Sequence, residues 1–234
     1  MQALVNSSCS CLQLPAAAAK ILLYRLCCKP FERKTNLNER TLLCLGIDGA
    51  GKTTLVDALA GNAVTHAQQP THGFRVKTVR LEPHWDFSVW EVGGAQQLRA
   101  HWHRYIEPSL AALLYVIDAA DASRLQESCD ALSLLLQLLP IDMPILIFAN
   151  KSDIAEFSCV KTAVRETMKG RPDVLWCIHE CSALERTIQA KSGRQKEELC
   201  AKSGLKWLDE LDMSLDEQGS DITVPLLSKK PWVM

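Results

Sequence analysis

The stretch Thr41-Leu-Leu-Cys-Leu-Gly46-Ile-Asp-Gly-Ala-Gly51-Lys52-Thr53-Thr54-Leu55 constrains this chain more than any other. An apolar run leads to Gly46, then comes G-x-x-x-x-G-K-T, and Leu55-Val-Asp-Ala-Leu-Ala60 follows with the pattern of a helix's first turns. Strand, glycine loop and helix in this order are the context that a phosphate-binding loop requires. Triphosphate oxygens need many donors at short range. Backbone N–H groups supply them where glycines such as Gly46, Gly49 and Gly51 keep side chains out of the way. The predicted contacts are Asp48, Gly49, Ala50, Gly51, Lys52, Thr53 and Thr54. A helix starting near Lys52 aims its positive end at the anion. Lys52 would reach the β- and γ-phosphates, and the Thr53 hydroxyl would ligate Mg²⁺.

The rest of the chain keeps alternating strands with helices. Phe74–Leu81 alternates as a strand, Glu82-Pro83-His84 makes a turn, and Asp86–Glu91 completes a hairpin. Gly93-Gly94 opens a loop, and residues 96–106 suit a short helix. Leu110–Ile117 and Pro144–Ala149 are continuous apolar runs, as expected of strands buried on both faces. Between them, Asp121-Ala-Ser opens a helix with Leu125, Cys129, Leu132, Leu136 and Leu139 on one face, stopped by Pro140. A helix over 158–168, a strand over Val174–Ile178 and a closing helix over 194–213 complete the pattern, with Gly204 expected to weaken the last helix. These elements predict an α/β fold: a doubly wound, mostly parallel sheet with one antiparallel edge hairpin. Ligands in such a sheet bind beyond the carboxyl ends of the strands.

A length of 234 residues suits one domain with tails, read here as an extension over 1–37, a core domain over 38–213 and a tail over 214–234. The net charge of −1 gives no pull toward nucleic acid, so no such partner is expected. The ten cysteines form no paired C-x-x-C set, which argues against zinc, and scattered thiols suit the reducing cytoplasm. In the extension, Pro15 and an alanine run lead into Ile21–Cys28, with Lys20, Arg25, Lys29, Arg33 and Lys34 interleaved or following. One reading is an amphipathic helix on an intracellular membrane surface, S-acylated at Cys27 or Cys28, since a basic patch and an acyl chain together give stable anchoring. The other is a helix packed on the domain, or an irregular tail.

Asn150-Lys151-Ser152-Asp153 follows a buried strand, well after the phosphate loop. The Asp153 carboxylate can accept two hydrogen bonds from the adjacent N1–H and N2–H₂ donors of guanine, a pair that adenine lacks. Asn150 would support the loops and the Lys151 stem would cover the ring; the alternative for Asp153 is a helix N-cap. After the last strand, Cys181-Ser182-Ala183-Leu184 offers backbone N–H groups to the base oxygen past the small Ala183.

The chain now resembles the ADP-ribosylation-factor-like small GTPases. The matching residues are Gly46–Thr54, Pro70-Thr71-His72-Gly73-Phe74, Trp90-Glu91-Val92-Gly93-Gly94, Arg99, Trp102, Tyr105 and Asn150–Asp153. The resemblance covers about residues 38–213 and implies the P-loop small-GTPase fold, with GTP or GDP and Mg²⁺ as ligands. It also implies roles. Thr71 would reach Mg²⁺ when the γ-phosphate is present, Gly94 would offer its N–H to that phosphate, and the hairpin between them would slide when the nucleotide changes. Phe74, Trp90 and Tyr105 fall where the family carries its effector-binding aromatics, although hairpin core is the alternative. Effectors, an exchange factor and a GTPase-activating protein are the partners implied.

Two positions depart from the family's W-D-V-G-G-Q. Glu91 replaces the Asp, keeping its charge near Mg²⁺ through a water but adding a methylene. Ala95 replaces the Gln that orients the attacking water, and Gln96 is one residue away. Slow intrinsic hydrolysis is therefore expected, and no catalytic side chain is assigned. Three functional readings follow: an Arf-like switch in trafficking or organelle targeting, a GTP-locked binding scaffold, and a P-loop kinase or ATPase. Asn150–Asp153 and the lack of an arginine-rich lid argue against the last.

Overall fold

The computed structural model describes residues 39–62, 64, 69–81, 85–184 and 200–216. The predicted amphipathic helix, Cys27, Cys28 and residues 217–234 lie outside the described residues. β1 (Glu39–Leu45) runs into the glycine loop and α1 (Lys52–Leu59); β2 (Phe74–Leu81) and β3 (Trp85–Val92) form the hairpin. Then come α2 (Gln96–Arg99), β4 (Leu110–Asp118), α3 (Leu125–Leu136), β5 (Ile145–Asn150), α4 (Phe157–Met168), β6 (Trp176–Glu180) and α5 (Cys200–Asp216).

The strands form one sheet in the order β2-β3-β1-β4-β5-β6. Every pair is parallel except β2 with β3, so the expected mostly parallel sheet with an antiparallel edge hairpin is what the chain adopts. Side-chain alternation sends Leu42, Cys44, Leu114, Val116, Leu146 and Phe148 into one core with Leu55 and Val56 of α1 and Ala201, Leu205 and Leu208 of α5. On the other face the buried Tyr115 donates its hydroxyl proton to the Ser128 carbonyl at 2.7 Å, fastening β4 to α3. Helices on both faces make the sheet doubly wound. β1 lies between β3 and β4 in the sheet, and the crevice beyond their carboxyl ends is where ligands bind in such sheets.

Several boundaries differ from the sequence reading. The segment 96–106 is split into α2 and a 3-10 turn at Trp102–Tyr105. Asp121 accepts from the Arg124 N–H and caps a 3-10 turn, so α3 begins only at Leu125. β6 starts two residues later than expected because Val174 closes a turn onto the Arg171 carbonyl. The closing helix continues three residues past the expected residue 213, to Asp216, the next glycine being Gly219.

Gly204 is not a simple weak point in that helix. A Cβ there would lie 2.9 Å from Phe148 Cε1 and 3.3 Å from His179 Cδ2, so the missing side chain is what lets α5 approach β5 and β6.

Candidate functional site

The loop after β1 is shaped by what crowds it. Gly51 has φ +84, and a Cβ on it would fall 2.3 Å from the Asn150 amide nitrogen, so both conformation and space demand glycine. α1 begins at Lys52 with no side-chain cap and no acid in its first turn, which leaves its positive end available to an anion. Lys52 is 6% exposed and donates to the Gly46 carbonyl at 2.8 Å and the Ile47 carbonyl at 2.9 Å. An ammonium has three donors, so one remains for a ligand. Burial lowers the Lys52 pKa from its ordinary value.

Thr53 of α1, Thr71 ahead of β2 and Glu91 near the end of β3 meet on one side of this loop. The two threonine hydroxyl oxygens are 3.0 Å apart, Thr71 donates to Glu91 Oε1 at 3.1 Å, and Thr53 makes a close hydrogen bond to the same Oε1. Glu91 is 1% exposed, and its Oε2 has no hydrogen-bond partner. A buried carboxylate oxygen and two hydroxyls form the all-oxygen donor set that suits Mg²⁺ rather than a softer metal. These residues therefore fit the metal that the sequence implies. Thr71 is held here because the backbone of Gly73 accepts from the Gly93 N–H at 2.9 Å.

Gly94 packs directly on the glycine loop. Its carbonyl accepts from the Asp48 N–H at 3.1 Å and from Arg99 Nε at 2.7 Å. Arg99 also reaches Asp48 Oδ1 at 2.9 Å and Glu127 at 2.7 Å, and Arg124 makes the matching pair to Asp48 at 2.9 Å and Glu127 at 2.8 Å. This four-charge cluster ties the loop to α2 and α3. Hydrogen bonds from Arg124 first, and Arg99 second, hold Glu127 down at about 2, and the Arg124 bond likewise lowers Asp48.

Asn150 joins the far end of the loop to the last strand. It is 2% exposed, its amide donates to the Ala50 carbonyl at 2.9 Å, and its carbonyl accepts the Ala183 N–H at 3.1 Å. These two bonds link the glycine loop to the segment after β6. Lys151 has φ 65 and pairs with Asp118 at 2.6 Å. Asp153 is exposed and does not cap α4, which starts at Phe157 behind Glu156. Ser182 and Ala183 are buried, and Ser182 Oγ has no hydrogen-bond partner.

These segments enclose a cavity of about 550 Å³ lined by Asp48, Gly49, Gly51, Lys52, Thr53, Thr54, Thr71, Glu91, Gly94, Ala95 and Lys151, together with Gln69, Pro70, His72 and Leu184. That size is within the range of small-molecule sites. Ala50, Asn150, Asp153, Ser182 and Ala183 are not among its lining residues. Ala95 faces the cavity as the residue before α2, while Gln96, one position on, is exposed and outside it. Sequence reading missed Arg124 and Glu127, whose only signal is their place just past the carboxyl end of β4. Among the predicted aromatics, Phe74 and Trp90 are half-buried, whereas Tyr105 is 3% exposed with its ring centroid 6.1 Å from that of Phe74. Tyr105 therefore supports Phe74 from within rather than presenting its own face.

A glycine loop at the carboxyl end of β1, a lysine at the start of α1 and an oxygen cluster beside it, on a doubly wound sheet, define a P-loop nucleotide-binding protein. The chain belongs to the ADP-ribosylation factor family, whose family model matches residues 29–209, and within it the Arf-like small GTPases. An ADP-ribosylation factor-like protein 3 from Chlamydomonas reinhardtii is 36% identical over 159 residues, covering 66% of this chain and 86% of the relative. The protein of the same name from Caenorhabditis elegans is 37% identical over 149 residues, covering 63% and 80%. ADP-ribosylation factor-like protein 9 from Homo sapiens is 38% identical over 115 residues, covering 49% and 60%. The Arl6 BBS3 small GTPase from Trypanosoma brucei, solved with the nucleotide analogue GppNp, is similar in fold, with a TM-score of 0.59 and 23% identity over 76% of this chain and 99% of that one. The family is one of guanine-nucleotide-binding switches.

Proposed function

We propose that this protein is a GTP-dependent switch with slow intrinsic hydrolysis, which recruits effector proteins in its GTP state during membrane trafficking or organelle targeting. The observation that carries the slow step is Ala95. It lines the cavity beside Gly94, and its methyl group can neither accept nor donate a hydrogen bond to an attacking water. Lys52 and the loop N–H groups would hold the phosphates, and Thr53 and Thr71, with Glu91 beside them, would hold Mg²⁺, which would neutralise phosphate charge. Asp153 would select guanine, and Ser182 and Ala183 would close the base end. Phe74 and Trp90 would meet the effector, with Tyr105 beneath them.

An activating protein would supply the missing group, as trans-acting arginines do at roughly 10³–10⁵-fold in related systems. An exchange factor would restore GTP. The N-terminal extension would bring the switch to a membrane surface, through a basic helix and acylation at Cys27 or Cys28.

Single-turnover GTP hydrolysis tests the reading. The unmodified protein should turn over slowly, and Ala95→Gln should accelerate it at least about tenfold, a water-orienting group being worth that much or more. Fast turnover by the unmodified protein would refute it. Ala95 also favours a second reading, a GTP-locked scaffold with no useful cycle. Protein purified largely with GTP bound, and unresponsive to Ala95→Gln, would select that one.

A further inference from the structure

Glu91 is the other departure, and its surroundings say more than its sequence position does. Its carboxylate is nearly fully buried. Oε1 accepts from both threonine hydroxyls, while Oε2 is buried with no hydrogen-bond partner. The cation paired with Oε2 is Arg75, opposite Glu91 in the β2–β3 ladder, at 3.8 Å; Arg75 is also shared with Asp57 at 3.4 Å. A buried carboxylate is costly unless a cation or several donors compensate it. Two neutral hydroxyls and one shared, partly exposed guanidinium compensate Oε1 far better than Oε2.

We infer that Glu91 Oε2 is an inner-sphere ligand of the nucleotide-associated Mg²⁺, in place of a contact made through water. The inference rests on the guanine-nucleotide reading above. Each threonine hydroxyl has one proton and two lone pairs. Donation to Oε1 turns the proton toward Glu91 and frees the lone pairs for a cation. Mg²⁺ takes oxygens at about 2.0–2.1 Å in an octahedron, so neighbouring ligand oxygens lie about 2.9 Å apart. The 3.0 Å separation of Thr53 and Thr71 is close to that edge. The methylene that glutamate adds to aspartate supplies the reach that a bridging water would otherwise span. One consequence follows: the metal is held by one more negative protein ligand.

The test uses the full chain loaded with GDP and Mn²⁺, with its glutamates ¹³C-labelled at the side-chain carboxyl. Electron–nuclear double resonance reads whether a carboxyl carbon is within direct-ligand range of the manganese. Glu91 is the sole glutamate among the described residues that line the cavity, so the unmodified protein decides the matter by itself. A strong ¹³C coupling is expected, absent in Glu91→Asp. The count of manganese-bound waters from ¹⁷O-water broadening should be one lower in the unmodified protein than in Glu91→Asp. The Mg²⁺ concentration that half-slows release of a fluorescent GDP should be at least about tenfold higher in Glu91→Asp. GDP and Mn²⁺ bound without a carboxyl coupling would overturn this inference alone. Failure to bind GDP at all would overturn the nucleotide reading and this inference together.

Discussion

Replacing Asn150 with alanine removes a side chain that bridges two loops. Its amide bonds the Ala50 carbonyl at 2.9 Å and the Ala183 N–H at 3.1 Å. Ala50 is 0% exposed and Ala183 3%, so neither backbone group has ready access to water once the amide is gone. A net hydrogen bond is worth about 1 kcal/mol, and a buried group left without a partner costs about 1–3 kcal/mol. Because truncation orphans both partners, Asn150→Ala should destabilise the fold by about 2–4 kcal/mol. For a domain of this size that is roughly 5–15 °C in melting temperature. Asn150→Asp keeps the size and the acceptor for Ala183, but sets a carboxylate oxygen against the Ala50 carbonyl. It should therefore be no milder than alanine, although it is the closer isostere. The assay is urea unfolding followed by circular dichroism, with nucleotide at one fixed concentration, since ligand binding to the native state adds its own stabilisation. Both variants within about 0.5 kcal/mol of the unmodified protein, at unchanged slope, would refute the bridge as a structural element, since that is the size expected of an ordinary surface change.

Two further expectations concern packing and charge. Gly204→Ala would gain about 1 kcal/mol on an exposed helix, but here its Cβ meets the buried Phe148 ring at 2.9 Å. A net loss of about 1–2 kcal/mol in thermal or urea unfolding is expected, and a gain would show that α5 can yield. Glu127 is lowered in the folded protein from 4.5 to about 2 by Arg124 and Arg99. A depressed carboxylate contributes stability above its unfolded pKa and loses it as pH falls through the folded one, so that contribution should fade between about pH 4.5 and 2. Glu127→Gln should flatten the urea midpoint against pH in that window alone, and raised salt should shrink the difference because the pair is partly exposed; superimposable pH curves would remove Glu127 from the account.

The fold was legible where the pattern is local. The apolar runs at β4 and β5 read as strands because burial on both faces leaves no room for polar residues, and the glycine loop read as a phosphate site because backbone donors need the bare backbone. Boundaries slipped where long-range contacts decide them. Val174 belongs to a β-forming run but is consumed by a turn onto Arg171. Gly204 looks like a helix defect until the ring of Phe148, 56 positions earlier in the chain, is set beside it. Tyr105 shares an aromatic pattern with Phe74 and Trp90, yet only packing tells which of the three is buried.

Thus the sequence alone determined the α/β alternation, the phosphate loop, the Asn150–Asp153 motif and the two departures at Glu91 and Ala95, because each is written in residues a few positions apart. Tertiary structure decided what those residues do to one another. It brings Asp48, Arg99, Arg124 and Glu127 into one charge cluster from three separate segments, and it buries Glu91 against Thr53 and Thr71 with one carboxylate oxygen left over. Charge and hydrogen bonding act over a few ångströms of space, and only the folded sheet sets which groups share those ångströms.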